Sequence, residues 1–208
     1  MGQTMKKEGL LVVLSGPSGV GKGTICDHLL DKYSDLEYSI SMTTRSPRAG
    51  EIHGEDYYFV SKSEFQEMIA DDEFLEWAEV FGNYYGTPRK FVNSKLREGK
   101  SVVLEIDIQG ALQVKQRCPN GVFIFLLPPS LDELHKRIRK RGTEQDKDMQ
   151  TRLTAAKNEI KTVHQYDYAV VNNNIGDTAD LIYSVIKAEK CSVSRVGQKL
   201  VKEVIDNE

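Results

Sequence analysis

The stretch GPSGVGKGT at residues 16–24 follows the apolar run LLVVLS (residues 10–15) and leads into ICDHLL (residues 25–30). Its spacing fits the phosphate-binding pattern G-x-x-x-x-G-K-[ST], which requires a strand before the loop and a helix after it. Glycines let consecutive backbone N–H groups turn inward around phosphate oxygens, and the helix adds its positive N-terminal end. The alternative is a glycine-rich turn that only connects a strand to a helix. The predicted nucleoside triphosphate site consists of Gly16, Pro17, Ser18, Gly19, Val20, Gly21, Lys22, Gly23 and Thr24.

The last position of the pattern departs from it, because Gly23 stands where a serine or threonine hydroxyl normally reaches magnesium. The ion would then be held by Thr24 or through water. Glu105 and Asp107, at the end of the apolar run VVLEID (residues 102–107), are the nearest acidic candidates to assist it. Alternate residues of a strand point to one face, so both carboxylates are expected to reach the site. Solvent-exposed acids at a strand end are the alternative.

Further short apolar runs recur along the chain with helical patterns between them. Besides residues 10–16, they are YSISMTT (38–44), SVVLEID (101–107), GVFIFLL (121–127) and YAVVNN (168–173). Several are continuously apolar rather than alternating, which is typical of strands covered on both faces. This pattern predicts an α/β domain with a mostly parallel central sheet.

Helix signals lie between these runs. They are TICDHLLDKY (24–33), RKFVNSKLREG (89–99), SLDELHKRIRKRG (130–142), which opens with a capping box, and DTADLIYSVIKAEK (177–190), with Asp177 as the predicted cap. Residues 45–90 are rich in glycine, tyrosine and charge, and they predict short antiparallel strands inserted into the scaffold. Residues 141–152 are polar and helix-poor, which predicts a mobile flap.

The composition is that of an ordinary globular protein, with 208 residues, 39% hydrophobic and 28% charged. A net charge of −3 gives no overall basic field for a nucleic acid or an anionic membrane, so an anionic substrate needs local cations. The sequence shows neither a signal-peptide core nor a span of ~20 apolar residues, which predicts a cytoplasmic protein. Three cysteines without a C-x-x-C pair favour a reducing compartment, and Cys26 is predicted to be a buried packing residue.

A second set of residues suits another anion. In TTRSPRAG (residues 43–50), Arg45 and Arg48 stand three apart beside Pro47, an arrangement that suits the presentation of two guanidinium groups to one phosphate. Tyr57 and Tyr85 offer hydroxyl donors that bind a phosphate without adding charge. A solvated turn is the alternative for the arginine pair.

Together with the phosphate loop, several motifs in order resemble guanylate kinase between Leu10 and Asn174. They are SISMTTRSPRAGE (39–51), GEDYYFV (54–60), EFLEWAEVFGNYYGTP (73–88), LEIDIQGA (104–111), LLPPS (126–130) and RGTE (141–144). The resemblance implies a P-loop three-layer sandwich that transfers a phosphoryl group from ATP to GMP, and to dGMP, with Mg²⁺. It also implies a division into an N-terminal extension (1–9), core with phosphate loop (10–44), GMP-binding insertion (45–90), core (91–140), lid (141–157), and core with C-terminal helix (158–208).

The same resemblance implies roles for single residues. The GMP phosphate is assigned to Arg45, Arg48, Tyr57 and Tyr85, and the guanine to Glu76, with Asp107 as helper and Ser41 and Thr87 near O6 and N7. The ATP phosphates and the transferring group are assigned to Arg137, Arg141 and Arg152, and the adenine to Asn172, with Asn173 and Asn174 as alternatives. The catalytic set is Lys22, Arg45, Arg137, Arg141 and Arg152. A solvated surface charge is the alternative for Glu76, and a solvated helix face or a nucleic-acid patch is the alternative for KRIRKRG (136–142).

Two other functions are compatible with the sequence. Another nucleoside monophosphate kinase, for adenylate or uridylate, would share the loop and the lid, although Glu76 disfavours it. Guanylate-kinase-like domains also serve as non-enzymatic peptide-binding modules, which need not keep Lys22 and the arginines. The sequence indicates neither a monomer nor an oligomer.

Overall fold

The computed structural model describes residues 8–80, 82–140 and 146–205, without the side chains of residues 140, 146–152, 198–200 and 203. Within these ranges the strands are β1 (Leu11–Ser15), β2 (Leu36–Tyr38), β3 (Met42–Thr43), β4 (Tyr58–Phe59), β5 (Phe74–Val80), β6 (Asn83–Pro88), β7 (Ser101–Glu105), β8 (Val122–Leu127) and β9 (Tyr168–Val171). The α-helices are α1 (Lys22–Lys32), α2 (Lys62–Ala70), α3 (Arg89–Arg97), α4 (Ile108–Arg117), α5 (Leu131–Lys140), α6 (Asp146–Ile160), α7 (Ile175–Glu189) and α8 (Val193–Ile205). None of the helices in these ranges combines the length and apolar character needed to cross a bilayer.

Five of the described strands form a central sheet in the order β2-β7-β1-β8-β9, and every pair is parallel. β1 lies in the middle, where Val12 pairs with Val103 on one side and with Val122 on the other. All residues of β1 are buried, as expected for a parallel strand covered on both faces. The predicted α/β fold with a mostly parallel central sheet is therefore confirmed.

Helices cover both faces of this sheet. Successive side chains of β1 point to opposite faces, so they pack into two separate cores. On one face, Val12 belongs to a core with Ile25 of α1 and Ile182 of α7. On the other face, Val13 belongs to a core shared with α3 and α4. Cys26 is buried in the first core, where burial raises the pKa of its thiol. The predicted packing role of Cys26 is therefore confirmed.

The segment between β2 and α3 forms a second sheet, whose described strands run in the order β4-β3-β6-β5. β5 and β6 pair antiparallel, as predicted for residues 45–90, whereas β3 and β4 pair parallel. Helix α2 was not predicted, although it begins with a capping box in which the side chains of Ser61 and Glu64 bond to each other's backbone N–H. Phe65 of α2 stacks on Phe74 of β5 with ring centroids 4.3 Å apart, so the helix and the second sheet share an apolar contact.

The prediction of one strand over residues 38–44 is wrong, because this stretch contributes to both sheets. The Ser39 N–H donates to the Val103 carbonyl of the central sheet at 3.1 Å. Two residues later, the Ser41 carbonyl accepts from the Tyr58 N–H of the second sheet at 2.9 Å. The backbone hydrogen bonds therefore pass from one sheet to the other between Tyr38 and Met42, and the strand divides into β2 and β3.

Two helix starts also differ from the prediction. Residues 146–152 were predicted to be helix-poor, yet α6 begins at Asp146 in a stretch without glycine or proline; residues 141–145 lie outside the described residues. α7 begins at Ile175 rather than after Asp177. Asn174 caps it, and its side-chain oxygen accepts from the Asp177 N–H at 3.2 Å. Asp177 therefore lies in the first turn, where its charge complements the helix dipole.

Candidate active site

The phosphate loop leaves the carboxyl end of β1 and enters α1 at Lys22. Gly21 caps α1 with a φ of 99°, a left-handed conformation that residues with a side chain rarely adopt. At Gly16 an added β-carbon would lie 2.4 Å from the Leu126 carbonyl oxygen, so only glycine allows the loop to pass so close to β8. The loop therefore has the backbone conformation that the sequence pattern predicted.

Lys22 folds back over the phosphate loop. Its Nζ donates to the Gly16 carbonyl at 2.8 Å and to the Pro17 carbonyl at 3.4 Å. The same loop is held by Asn172, the residue that follows β9 and is only 4% exposed, whose Nδ2 donates to the Val20 carbonyl at 2.9 Å. Asn172 thus supports the loop, and its predicted contact with adenine stays a prediction.

Arg137 of α5 also reaches the phosphate loop. Its Nη1 donates to the Val20 carbonyl at 3.3 Å and its Nη2 to the Asn172 carbonyl at 3.1 Å. Glu133, one turn earlier on α5, accepts from Nε at 3.1 Å. The guanidinium is therefore fixed beside the loop. Arg141 lies outside the described residues, and so does the side chain of Arg152.

A carboxylate that the sequence did not indicate lies at the loop. Glu159 of α6 accepts from the backbone N–H of Ser18 through Oε2 at 3.3 Å. Ser18 is one of the loop residues whose N–H groups were predicted to bind phosphate. This contact shows that an anionic group can accept a hydrogen bond from the Ser18 N–H, as expected for an anion-binding loop.

Glu105 lies against the loop position that lacks a hydroxyl. A β-carbon added at Gly23 would be 3.4 Å from Glu105 Oε2 and 3.6 Å from Oε1. Asp107, in contrast, is not on the strand, because β7 ends at Glu105 and Asp107 caps α4, accepting from the Gly110 N–H at 2.8 Å. The prediction that strand alternation directs both carboxylates to one face is therefore wrong. Thr24 is exposed on the first turn of α1.

Arg45 forms the centre of the second predicted anion site. It makes two parallel 2.8 Å hydrogen bonds with Glu51, and its guanidinium lies 5.4 Å from the centroid of the Tyr57 ring. The Tyr57 and Tyr85 rings meet edge to face at 6.1 Å. The hydrogen bonds with Glu51 raise the pKa of Arg45, and Arg45 in turn lowers the pKa of Glu51 to about 2. Both groups are therefore charged near neutral pH.

Arg48 lies on the same turn but extends into solvent. Its backbone N–H donates to Glu51 Oε2 at 2.7 Å, while its side chain is exposed. Glu51 thus connects the two arginines of the turn. In the sequence, the one indication of this role is that Glu51 lies six residues after Arg45. Arg45, Tyr57 and Tyr85 lie together, and Arg48 adjoins them through its backbone.

Glu76 of β5 is a buried carboxylate, only 6% exposed. Thr87 of β6 donates to its Oε1 at 2.6 Å. Burial, with a smaller contribution from the nearby charge of Asp107, raises the pKa of Glu76 to about 7 despite the lowering effect of the Thr87 hydrogen bond. The structure therefore brings Glu76, Thr87 and Asp107 together, and their contact with guanine stays a prediction. Ser41 lies in the segment between β2 and β3, partly buried.

The phosphate loop lies at the end of the central strand of a parallel sheet. Beside it, a second sheet carries a buried carboxylate and an arginine–tyrosine cluster. Together these features define the class of P-loop nucleotide kinases. The family model described as guanylate kinase matches residues 8–189. The chain belongs to the guanylate kinase family. Helix α8 follows the matched range.

Individual relatives agree with this family over almost their whole length. The chain is 55% identical over 192 residues to guanylate kinase of Caldanaerobacter subterraneus subsp. tengcongensis, covering 92% of this chain and 93% of that protein. It is 54% identical over 198 residues to guanylate kinase of Clostridium perfringens strain 13, covering 95% and 92%. The crystal structure of guanylate kinase from Anaplasma phagocytophilum matches with a TM-score of 0.77 at 37% identity and covers 97% of both chains.

Proposed function

We propose that this chain catalyses the reversible transfer of the γ-phosphoryl group of ATP to GMP, and to dGMP, giving ADP and GDP. The observation that carries this function is the 55% identity to a guanylate kinase over 92% of the chain. Identity of this extent supports an ATP:GMP phosphotransferase and favours neither another monophosphate kinase nor a peptide-binding module. The division of the chain given above belongs to this proposal, with residues 45–90 as the GMP-binding insertion and 141–157 as the lid.

On the donor side, the loop amides and Lys22 bind the ATP phosphates. The amides and the N-terminus of α1 supply partial positive charge, and Lys22 supplies a full one. Arg137, fixed beside the loop at 3.3 Å from the Val20 carbonyl, stabilises the transferring group. In this proposal Arg141 and Arg152 complete the cationic set, and Asn172 contacts adenine while it supports the loop.

Magnesium, when bound together with ATP, would neutralise phosphate charge and orient the oxygens of ATP. The residues that would hold it, or its water ligands, are Thr24 and Glu105. Their hydroxyl and carboxylate oxygens are the hard donors that magnesium prefers. The Glu105 carboxylate against Gly23 fits this donor set. No group of three or more His, Cys, Asp and Glu suited to a metal lies in the described part of the chain.

On the acceptor side, Arg45, Arg48, Tyr57 and Tyr85 hold the GMP phosphate for in-line attack on the γ-phosphorus. A phosphate monoester loses its second proton near pH ~6, so the attacking oxygen needs no general base. Catalysis then comes from positioning and from cationic stabilisation of the transition state. Closure of the lid excludes water, which would otherwise intercept the phosphoryl group.

Glu76 reads the guanine base. Guanine presents its N1–H and N2–H₂ donors side by side, and one ionised carboxylate accepts from both. Adenine lacks this pair and would leave a buried carboxylate without partners, and sites of this kind reject the wrong ligand by roughly 10⁴-fold or more. Asp107 assists Glu76, while Ser41 and Thr87 lie near O6 and N7.

Arg48→Lys is expected to raise the KM for GMP about tenfold and to leave the KM for ATP within about twofold. Lysine keeps the charge but loses the planar fork that binds two phosphate oxygens. The Arg48 side chain is exposed, so the substitution does not disturb packing. Steady-state kinetics with both nucleotides measure the effect, with Arg97→Lys, at an exposed position of α3, as the matched control. An unchanged KM for GMP would remove Arg48 from the phosphate site.

GMP binding is expected to strengthen as the pH rises through about 7, because burial raises the pKa of Glu76 to about 7 and only its ionised form accepts both guanine donors. Binding favours the ionised carboxylate, so complex formation below this pH releases a proton from Glu76. The GMP phosphate, with a second pKa of ~6, makes a separate contribution to the pH dependence of GMP affinity. In Glu76→Gln, the pH dependence of GMP affinity that comes from the phosphate remains, and the part that comes from the Glu76 carboxyl group is lost. Calorimetry across pH 6 to 8 on both proteins measures the difference, and parallel pH profiles would contradict the assignment.

A coupled assay with GMP, AMP, UMP and CMP as acceptors tests the function itself. We expect rapid ATP-dependent phosphorylation of GMP and rates lower by roughly 10⁴-fold with AMP. Comparable rates with AMP or UMP would favour another monophosphate kinase. Folded protein that forms no GDP but binds acidic or phosphorylated peptides would favour the peptide-binding module.

A further inference from the structure

Helix α4 holds strand β5 at the residue that follows Glu76. In the described second sheet β5 is an edge strand, with β6 as its neighbour. The Gln113 side chain pairs with both backbone groups of Trp77. Its Nε2 donates to the Trp77 carbonyl at 3.0 Å, and its Oε1 accepts from the Trp77 N–H at 3.2 Å. The side-chain amide of Gln113 thus satisfies the backbone groups that a further strand would otherwise pair with.

Arg117 of α4 holds the same strand on the other side of Glu76. It donates to the Phe74 carbonyl at 2.8 Å, two residues before Glu76. The pairing of β5 with β6 shifts register between Phe74 and Glu76, so the strand has a bulge there. A bulge redirects the side chain that follows it, and contacts on both sides of Glu76 fix the new direction.

Gly110 makes room for the carboxylate itself. A β-carbon added at Gly110 would lie 2.8 Å from Glu76 Oε2 and 3.2 Å from the carboxyl carbon. The first of these distances is shorter than real β-carbon contacts, so Glu76 occupies space that only glycine leaves open. On the other side of the carboxylate, Thr87 donates to Oε1 at 2.6 Å. Glu76 is therefore held between β6 and the first turn of α4.

Gly110, Gln113 and Arg117 follow one another at i, i+3 and i+7, which places them on one face of α4. We call these three residues the α4 clamp. Asp107, the cap of the same helix, also acts on Glu76, because its charge helps to raise the pKa of that carboxyl. One helix thus supplies the space, the strand contacts and part of the electrostatic environment of Glu76.

We propose that the α4 clamp positions Glu76 for guanine recognition, and that Gln113 is a positioning residue for GMP specificity that acts through the backbone of β5. This inference rests on the proposed function of Glu76 as the guanine reader. A carboxylate that accepts two hydrogen bonds from a flat base must be held to within about 0.5 Å of the productive geometry. The hydrogen bonds of Gln113 described here go to Trp77, and neither reaches the phosphate loop. Its loss therefore affects GMP and not ATP.

The test compares Gln113→Met with Gln116→Met. Methionine keeps the length of the side chain and removes both hydrogen bonds at position 113, whereas position 116 is exposed on the same helix. Calorimetric titrations measure the GMP and ATP affinities at equilibrium, without turnover, and Trp77 is the one tryptophan of the chain, so its emission reports the environment of the clamped strand. We expect Gln113→Met to weaken GMP binding about tenfold, to leave ATP within about twofold and to shift the Trp77 emission. Gln116→Met is expected to change none of these.

Equal losses of GMP and ATP affinity, or unchanged GMP affinity in folded Gln113→Met, would overturn the inference. Gly110→Ala provides an independent variant, because the added β-carbon displaces the carboxylate directly. We expect it to weaken GMP binding about tenfold or more, again without an effect on ATP. Gln113→Glu keeps one acceptor for the Trp77 N–H and is expected to bind GMP with intermediate affinity.

A double-mutant cycle separates this inference from the proposed function. If Gln113 acts through Glu76, Gln113→Met adds less than its own tenfold loss when Glu76→Gln is already present. Full additivity would contradict the inference. If Glu76→Gln alone leaves GMP binding unchanged, the proposed role of Glu76 fails. If Glu76→Gln weakens GMP binding while both clamp variants bind it normally, only the clamp proposal fails.

Discussion

Lys22→Ala is expected to lower kcat for GMP phosphorylation by about 10³-fold or more. In the transition state, negative charge spreads over the transferring phosphoryl group, and a preorganised cation stabilises that charge without reorganising. Lys22 is preorganised in this sense, since its Nζ is already held over the loop by the Gly16 carbonyl at 2.8 Å. Loss of the ammonium removes this stabilisation, while the amides of the loop still bind ATP. The KM for ATP is therefore expected to rise less than kcat falls.

Single-turnover kinetics with Lys22→Ala separate the chemical step from binding. The substitution removes the hydrogen bonds of Lys22 to the partly buried carbonyls of Gly16 and Pro17, so the thermal transition is expected to move by a few degrees at most. Lys32→Ala, at the exposed end of the same helix, is the matched control and is expected to retain normal turnover. Near-normal turnover of Lys22→Ala would remove Lys22 from the catalytic set.

The phosphate loop was predictable from the sequence because its signals are local. A buried strand, the glycines at 16, 19 and 21, and Lys22 all lie within residues 11–22, and each requires the same strand–loop–helix geometry. The capping box at Ser61 was an equally local signal for α2, but it lies in a segment whose glycines and tyrosines favoured strands. Local signals therefore served well wherever neighbouring signals did not compete.

Side-chain pairings between distant segments have no comparable signal. Gln113 and Gln116 are both glutamines on α4, and only the packing of β5 against one face of the helix distinguishes them. The assumption of strand alternation placed Asp107 wrongly. An acidic residue after an apolar run can lie at the end of the strand or cap the next helix, and the sequence did not distinguish the two. Residues of β5, β6 and α4 together form the environment of Glu76. These segments are distant in the sequence, so the raised pKa of Glu76 could not be predicted from it.

Glu76→Gln is expected to weaken GMP binding by about 10²- to 10⁴-fold and to leave ATP binding within about twofold. The ionised carboxylate offers charge-assisted hydrogen bonds to both guanine donors. Glutamine has one acceptor oxygen, and its amide turns N–H groups toward a guanine donor, so one hydrogen bond is lost and one donor remains buried without a partner. Calorimetric titrations with GMP and with ATP measure the two affinities, and equal losses for both nucleotides would contradict the assignment.

The stability of the same variant is expected to change in the opposite direction. Burial raises the pKa of Glu76 from 4.5 to about 7, so the ionised form is disfavoured in the folded state and its destabilising effect grows as the pH rises through this interval. Glutamine carries no charge and still accepts from the Thr87 hydroxyl. Denaturant unfolding without nucleotide should therefore find Glu76→Gln at least as stable as the parent at pH 8, with a smaller difference at pH 5. Glu79→Gln, exposed on the same strand, should change neither stability nor binding. A variant that lost stability and GMP affinity together at both pH values would identify Glu76 as a structural residue, because a carboxylate kept for recognition is replaced by its neutral isostere without harm to the fold.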